Sequence, residues 1–274
     1  QCGSSVRSTK EGQRVRNVRK ALRSGEVVVG SWINTASPIV AELLAGLGFD
    51  FLCVDAEHSA VNEPQAQMLF QAMRAGNPDC AALVRLPGHD YQTIKRYMDA
   101  GADGVVAPLI NTAEQAREVV SAVKYPPEGM RGVGFCRDNL YGANFDQAVG
   151  SANDRTLAAV QIEHIEGVEN IHEILDVPGV DAVFIGPYDL SASMGIVKQF
   201  DHPDMIAATG RILKACKEKN IIPGIHVVPP HPNAVNQRID EGYRFIAYSL
   251  DITMLAEVAG SGLKKIRSHL AEKP

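Results

Sequence analysis

The chain has few of the features that mark membrane or nucleic-acid-binding proteins. Among its 274 residues there is one Trp, and no apolar run approaches the roughly 20 residues that cross a bilayer. The 27 Lys and Arg residues are scattered and are outnumbered by 32 Asp and Glu residues, which gives a formal net charge of −5. Such a chain has no continuous basic face for a phosphate backbone. We therefore expect neither a membrane nor nucleic acid as a partner.

Cysteine is also scarce. The five cysteines are an odd number, and no CxxC or zinc-finger spacing occurs among them: Cys2, Cys53, Cys80, Cys136 and Cys216. Free thiols in a reducing compartment are the simplest interpretation, so we expect a cytoplasmic protein.

The first 17 residues differ in character from the rest of the chain. They are polar, they contain Arg and Lys, and they begin with Gln rather than Met. They also lack the apolar stretch of a secretory signal. We expect residues 1–17 to be a flexible N-terminal arm with a trimmed end. No linker divides the remaining residues, 18–274, which we expect to form a single domain.

Short apolar segments alternate with longer amphipathic segments along this domain. Eight segments predict strands: Val27–Trp32, Phe51–Asp55, Ala81–Arg85, Gly104–Pro108, Leu157–Ile162, Ala182–Ile185, Ile222–His226 and Phe245–Ser249. Eight others predict helices: Pro38–Leu47, Glu63–Ala75, Tyr91–Ala100, Thr112–Val123, Gly167–Leu175, Pro203–Lys219, Ala234–Glu241 and Ile252–His269. Strands apolar on both faces and separated by helices indicate parallel neighbours, and eight such units close into a (β/α)₈ TIM barrel of the α/β class. An open doubly wound sheet is the alternative, although no GxGxxG follows the first strand.

Two further patterns concern the connections. Gly precedes several predicted strands, which is typical of helix-to-strand turns that need a permissive residue. One long stretch, Lys124–Arg155, shows no regular pattern. Loops of that length in a compact domain are usually lids or binding loops.

Polar side chains collect where the predicted strands end, which in a TIM barrel is the face that carries the active site. They are Asp55, Glu57, His58, Arg85, Gln161, Glu163, His164, Tyr188, Asp189, His226 and Asp251. Any one of them could simply form a turn or a cap. Together they are expected to converge on one opening of the barrel, at the carboxyl ends of its strands, which we call the mouth.

Two carboxylates at this mouth predict a metal site. Gln161 and Glu163 are two residues apart, so they point to the same side of their strand, and Asp189 follows the next strand. Without cysteines or a histidine cluster, such a pair suits Mg²⁺ or Mn²⁺. A general acid–base pair, as in glycosidases, is the alternative. A glycosidase, however, would need exposed aromatic side chains on which a sugar ring stacks, and the chain has a single Trp.

Two other side chains at the mouth suggest chemistry. The planar guanidinium of Arg85 could hold a carboxylate or an oxyanion, and a surface salt bridge is its plainer interpretation. His58 could act as a general base near neutral pH, or it could be a loop histidine bonded to backbone. His164 directly follows Glu163, so its side chain is expected to point to the other side of the strand, toward the outer helices.

Several long motifs carry a family resemblance. They read GSWINTASPIVAELLAGLGFDFLCVDAEHSAVN, VRLPG, DAGADGVVAPLINT, PPEGMRGVG, QIEHIEGVENIHEILDVPGVDAVFIGPYDLSASMG and DEGYRFIAYSLD. With them the chain resembles the HpcH/HpaI family of metal-dependent class II pyruvate aldolases, from about Val27 to the last helix. The resemblance implies a barrel of the phosphoenolpyruvate/pyruvate type. It also implies a homohexamer, a trimer of dimers that often exchanges the last helix, and a divalent cation: Mg²⁺ or Mn²⁺, with Co²⁺ as a further option.

The resemblance also implies roles for individual residues. Glu163 and Asp189 would be the metal ligands. Arg85 and Gln161 would bind a 2-oxo acid substrate, and the backbone N–H of Tyr188 or Asp189 would contact its carboxylate.

The resemblance further implies that His58 is the acid/base group and that Asp99 is its partner. Asp99 lies near the end of the predicted helix Tyr91–Ala100, which is about 15 Å long and runs away from the mouth. His58 of the same chain would therefore be out of reach of Asp99. We therefore expect Asp99 either to pair with His58 of a neighbouring subunit or to serve only as a turn residue.

The expected reaction is cleavage of a 4-hydroxy-2-oxo acid to pyruvate and an aldehyde through a pyruvate enolate. No predicted strand ends in Lys, which argues against a Schiff-base aldolase. The alternatives are an oxaloacetate decarboxylase, an enzyme similar to macrophomate synthase, and a barrel without turnover. The chain departs from the bacterial pattern in its N-terminal arm and in the segments GFCRDNLYGANF and HVVPPHP, so the resemblance does not define the aldehyde.

Overall fold

The eight predicted strands form a closed, parallel barrel in the order β1 to β8, with β8 pairing to β1. They are β1 Val28–Ile33, β2 Phe51–Asp55, β3 Ala81–Arg85, β4 Gly104–Ala107, β5 Leu157–Ile162, β6 Ala182–Ile185, β7 Ile222–Val227 and β8 Phe245–Leu250. The predicted TIM barrel is therefore confirmed. This computed structural model describes residues 17–272, so the predicted arm, apart from Asn17, and Cys2 lie outside the described residues.

Twelve α-helices occur between Asn17 and Glu272. They are α1 Val18–Arg23, α2 Pro38–Gly46, α3 Glu63–Gly76, α4 Tyr91–Asp99, α5 Ala113–Val123, α6 Phe145–Arg155, α7 Ile165–Glu169, α8 Ile171–Leu175, α9 Pro187–Ser193, α10 Pro203–Lys219, α11 Pro232–Asp240 and α12 Asp251–Ala271. None of them is both long enough and apolar enough to span a membrane.

The strands are buried on both faces, as their apolar runs predict. Side chains that point inward pack against each other across the barrel, with the Phe51 and Phe245 rings 4.8 Å apart and the Phe184 and Phe245 rings 5.2 Å apart. Outward-facing side chains pack against the helices. The turns from helix to strand use glycine in the left-handed region, with φ of 101° at Gly101 and 106° at Gly242.

The structure corrects two predictions of secondary structure. The stretch Lys124–Arg155 is not wholly irregular, because it contains a 3₁₀ helix, Arg137–Gly142, followed by α6. Helix α6 was missed because its buried residues are only Ala148 and Ala152, too small to give a clear apolar stripe. The predicted helix Gly167–Leu175 is interrupted at Asn170, which separates α7 from α8.

The last helix packs poorly against the rest of its own chain. Of its residues only Asp251 is buried, and apolar side chains such as Leu255 and Val258 are 70% and 74% exposed. Helix α2 also presents apolar side chains to solvent, with Ile39 77% exposed and Leu43 58% exposed. Several exposed apolar side chains on one helix are typical of protein–protein contacts.

Candidate active site

A cavity of about 330 Å³ opens at the carboxyl ends of the strands. Most of the polar residues that the sequence places at these ends line it, together with several apolar side chains. The lining residues are Trp32, Asn34, Asp55, His58, Arg85, Gln161, Phe184, Ile185, Gly186, Pro187, Tyr188, Asp189, His226, Val228 and Leu250. The predicted convergence on one mouth is thus confirmed for these residues.

Arg85 at the end of β3 is held rigidly. Its Nε lies 3.0 Å from Asp55 Oδ1 and its Nη2 lies 2.7 Å from Asp55 Oδ2, while Nη1 lies 3.2 Å from Glu57 Oε2. The guanidinium also lies 4.2 Å above the centre of the Trp32 ring. Because Arg85 is 8% exposed, the interpretation as a surface salt bridge is wrong. The site thus holds a preorganised positive charge.

The ionisation of Asp55 follows from this pairing. Burial on its own raises the pKa of Asp55, but hydrogen bonds and charge from Arg85, with smaller contributions from His58 N–H and Asn34, lower it below its ordinary value. Asp55 is therefore a fixed anion that orients Arg85.

Glu57 is a residue of the site for which the sequence suggested no role. Burial raises its pKa, although the positive charge of Arg85 opposes that shift. Its Oε2 is buried, and its 3.2 Å contact with Arg85 Nη1 is an ion pair without the alignment of a hydrogen bond. The spacing of Glu57 two residues after Asp55 is the same signal that drew attention to Gln161 and Glu163, and it could have identified Glu57.

Gln161 and Glu163 lie side by side at the end of β5, as their spacing predicts. The Gln161 amide donates to Glu163 Oε2, and Leu109 N–H donates to Glu163 Oε1 over 2.8 Å. Burial raises the pKa of Glu163; these two hydrogen bonds lower it, and the negative charges of Glu57 and Asp189 raise it further. A Cβ at Gly186 would lie 2.8 Å from Glu163 Oε2, so only glycine leaves room for this carboxylate.

The carboxylates at the ends of β5 and β6 have the chemistry of a site for a divalent cation. The described residues contain no cluster of three or more His, Cys, Asp or Glu arranged around one metal position. However, the negative charges of Glu57 and Asp189 raise the pKa of Glu163, and that of Asp189 raises the pKa of Glu57, so the three carboxylates lie near one another. Arg85 beside them is paired with Asp55. Mg²⁺ sites commonly use one or two carboxylates and leave the other positions to water and substrate oxygens. Glu163 and Asp189 fit a site of that kind.

His58 lies at the rim of the cavity. Its side chain is 59% exposed, and its Nε2 lies 3.9 Å from Glu57 Oε2. Its backbone N–H donates to Asp55 Oδ1 over 3.1 Å, whereas its ring makes no hydrogen bond to backbone within residues 17–272. The imidazole is therefore accessible to a substrate.

The structure does not bring Asp99 to this cavity. Asp99 is the last residue of α4, where its carboxylate lies 3.0 Å from Lys95 Nζ and 2.8 Å from Arg131 Nη2. Within one chain it is therefore held away from His58.

The remaining strand-end residues divide into three groups. Tyr188 and Asp189 lie in the first turn of α9, whose N-cap, Gly186, provides no side-chain cap. His164 caps α7, with its Nδ1 accepting from Glu166 N–H over 3.2 Å, so it faces the helices as expected. Asp251 ties β8 to the chain after β1, because its carboxylate accepts from Asn34 N–H and other donors there.

His226 is a second residue for which the sequence suggested no role. It lines the cavity near the end of β7, and its ring stacks on Trp32 with 4.9 Å between ring centres and 5° between planes. Its environment depends on β1 and β8, so a single-strand pattern could not reveal it.

Comparison with known proteins gives consistent results. The sequence model of the family described as HpcH/HpaI aldolase/citrate lyase matches residues 29–257. A 4-hydroxy-2-oxovalerate aldolase from Novosphingobium aromaticivorans is 38% identical over 94% of this chain and 97% of that protein. A 4-hydroxy-2-oxo-heptane-1,7-dioate aldolase from Shigella boydii is 37% identical over 88% and 91%, respectively. The crystal structure of macrophomate synthase superposes with a TM-score of 0.83 at 25% identity, covering 94% of this chain and 91% of that one.

Proposed function

Because the chain belongs to the HpcH/HpaI aldolase/citrate lyase family, we propose that it cleaves a 4-hydroxy-2-oxo acid to pyruvate and an aldehyde, through the enolate of pyruvate and with a divalent metal. As a member of this family of aldolases it is a carbon–carbon lyase. The observation that carries the proposal is a cavity lined by Asp189 and the rigidly held Arg85, with Glu163 bonded to its lining residue Gln161.

Glu163 and Asp189 would hold the metal, for which Mg²⁺, Mn²⁺ and Co²⁺ are candidates. When bound, a divalent cation supplies Lewis acidity that stabilises negative charge on an adjacent oxygen. The chain supplies the rest of the electrostatics. Arg85 presents a positive charge that Asp55 and Trp32 hold in place, so little reorganisation is needed as negative charge develops. Gln161 and the N–H of Tyr188 or Asp189 would position the 2-oxo acid.

His58 would move the proton that cleavage requires. Its accessible imidazole takes the proton of the C4 hydroxyl as the C3–C4 bond breaks, the C4 carbon leaves as the aldehyde, and the electron pair remains on the pyruvate fragment. Protonation of C3 then gives pyruvate. Aldol addition is the same sequence in reverse.

A homo-oligomer completes the proposal. The exposed apolar side chains of α2 and α12 support contact between copies of the chain, and we expect a hexamer built as a trimer of dimers. Asp99 would then reach His58 of a neighbouring subunit, although its bonds to Lys95 and Arg131 are equally compatible with a local structural role.

Mixed oligomers test the shared site. Asp99→Asn and His58→Ala chains, each weakly active alone, are co-assembled and their stoichiometry is verified. Recovery of activity is expected where an intact His58 meets an intact Asp99 of a neighbour. Verified mixed oligomers that remain inactive would leave Asp99 with its local role only.

Substrate assays test the reaction itself. Metal-free protein is supplied with Mg²⁺, Mn²⁺ or Co²⁺, and pyruvate release is measured over a series of 4-hydroxy-2-oxo acids. We expect release that depends on the added cation and is lost reversibly on chelation. Full activity in verified metal-free protein would contradict the proposed mechanism.

Decarboxylation of oxaloacetate is the second candidate. The position of His58 at the rim of the cavity favours it, because decarboxylation produces the same enolate without removing a hydroxyl proton. Oxaloacetate turnover with and without an aldehyde distinguishes the two. Rapid decarboxylation with no cleavage of any hydroxy acid would favour this candidate.

A further inference from the structure

His226 presents one side of a neutral imidazole to the cavity. Its Nε2 lies 3.0 Å from the carbonyl oxygen of Ser249 in β8. A carbonyl oxygen can only accept a hydrogen bond, so Nε2 carries the proton and Nδ1 does not. The stacking of the ring on Trp32 keeps it in this orientation.

The ring stays neutral at physiological pH. Burial lowers the pKa of His226 to about 4, and the positive charge of Arg85 lowers it as well, whereas the Ser249 carbonyl and Asp55 act in the opposite direction. His226 is therefore unsuited to proton transfer near neutral pH. It can serve as a fixed hydrogen-bond acceptor.

The Nδ1 atom is available to a ligand. No hydrogen bond to Nδ1 is found within residues 17–272, and Nδ1 is not among the buried polar atoms that lack a partner. His226 is partly exposed, and it lines the cavity. Nδ1 therefore reaches accessible space at the cavity wall.

The two sides of the cavity have different characters. Arg85, Gln161 and Asp189 form a polar side that suits a carboxylate and a carbonyl. The other side begins at the Trp32 ring, which Arg85 contacts, and is formed by Trp32, Phe184, Val228, Leu250 and His226. With Arg85, Gln161 and Asp189 holding the 2-oxo acid head, the rest of a substrate would extend toward these largely apolar groups, among which Nδ1 offers a hydrogen-bond acceptor.

We propose that His226 is a specificity-determining residue for the aldehyde half of the substrate: its Nδ1 accepts a hydrogen bond from a hydroxyl next to the aldehyde carbon. This inference rests on the proposed aldolase function. An apolar pocket distinguishes a hydroxyl from a methyl group only weakly. A site with an acceptor placed for a hydroxyl, in contrast, disfavours an analogue that leaves the acceptor unpaired. The enzyme therefore favours hydroxylated aldehydes over aliphatic aldehydes of the same size.

Glycolaldehyde and propanal form a matched pair for the test, because a hydroxyl in one replaces a methyl in the other. The kcat/KM for addition of pyruvate is measured with each, in the metal-supplemented full-length protein. We expect wild type to favour glycolaldehyde by about 10-fold, the effect of one hydrogen bond. His226→Phe keeps an aromatic ring to stack on Trp32 but removes the acceptor, and its ratio is expected to approach one. His226→Asn places an amide oxygen near the Nδ1 position and is expected to retain part of the preference.

Three results would overturn the inference. They are a wild-type ratio near one, a His226→Phe ratio equal to that of wild type, and an equal loss of preference in the Phe and Asn variants. Exchange of the pyruvate methyl protons with solvent deuterium, followed in wild type without any aldehyde, separates this failure from failure of the proposed function. Exchange together with an unchanged aldehyde ratio rejects only the role of His226. Absence of both exchange and aldol addition rejects the proposed function and this inference with it.

Discussion

Buried arginine–aspartate pairs occur at both ends of the barrel, in different surroundings. At the base, Arg19 Nε lies 2.8 Å from Asp181 Oδ1, Arg23 donates to the same oxygen, and Ala158 N–H donates to Oδ2. Both oxygens of the carboxylate are satisfied by the protein. At the mouth, Arg85 alone donates to both carboxylate oxygens of Asp55.

The groups around the pair at the mouth, however, remain unsatisfied. Within residues 17–272, eight buried side-chain atoms lack a hydrogen-bond partner, and four of them belong to residues at the mouth: Trp32 Nε1, Asn34 Oδ1, Gln161 Oε1 and Glu57 Oε2, the last of which has an ion pair with Arg85. Buried polar atoms are normally paired, so such a concentration requires an explanation. A ligand bound at the mouth, as proposed above, would pair such atoms. The pair at the base has a structural role, whereas the pair at the mouth lies in the candidate active site.

Removal of one carboxylate at the mouth is expected to have the largest effect. Glu163→Gln keeps the size of the side chain but removes the charge that would hold a cation, so aldol cleavage should fall by at least about 10³-fold. The side chain of Arg23 at the base is 55% exposed, and Arg23→Ala is the matched control. Steady-state kinetics should find that control within about twofold of wild type. Comparable losses in both variants would remove the distinction between the two ends.

Replacement of each buried arginine by lysine makes the comparison direct. Arg85→Lys keeps the charge but loses the planar fork, and we expect kcat/KM to fall by about 10²–10³-fold. Arg19→Lys should instead lower the melting temperature and leave kcat unchanged at 25 °C. Kinetics and thermal unfolding of the two purified proteins measure both effects. A loss of kcat in well-folded Arg19→Lys protein would contradict a purely structural base.

His58 separates the two reactions that the mouth could perform. His58→Ala should lower aldol cleavage by about 10²-fold or more, because it removes the group proposed to take the hydroxyl proton, and should lower oxaloacetate decarboxylation much less. Both rates are measured on one preparation with the same cation. Equal losses in the two reactions would assign His58 to substrate binding or to structure.

The smallest expected effect is on stability at mildly acidic pH. Because burial lowers the pKa of His226 to about 4, the unfolded chain binds a proton below about pH 6.5 that the folded chain does not. The folded state should therefore be fully stable above pH 6.5 and lose roughly 1–3 kcal/mol between pH 6.5 and 4. Urea unfolding across this range should give a flatter pH profile for His226→Phe than for wild type. Parallel profiles would show that His226 titrates normally.

The barrel and much of the mouth could be predicted from the sequence because both depend on short-range patterns. Apolar runs defined the strands, and polar residues at their ends identified Arg85, Gln161 and Asp189 as neighbours in one cavity. The spacing of Gln161 and Glu163 correctly placed them on one side of β5.

The features that were missed depend on contacts between strands or on weak patterns. The commitment of Arg85 to Asp55 and Glu57 joins β3 to the end of β2. The protonation of His226 is determined by the Ser249 carbonyl on β8. Helix α6 buries only alanines and so has almost no apolar signature. None of these can be read from the local sequence alone.

The central claim is that the mouth converts pyruvate to its enolate with the help of a divalent cation at Glu163 and Asp189. Exchange of the pyruvate methyl protons in deuterium oxide, followed by proton NMR, measures that step without any aldehyde. We expect exchange in metal-supplemented wild type, its loss on chelation, its return when the cation is restored, and none in Glu163→Gln. Exchange at the wild-type rate in verified metal-free protein, or in Glu163→Gln, would contradict the account.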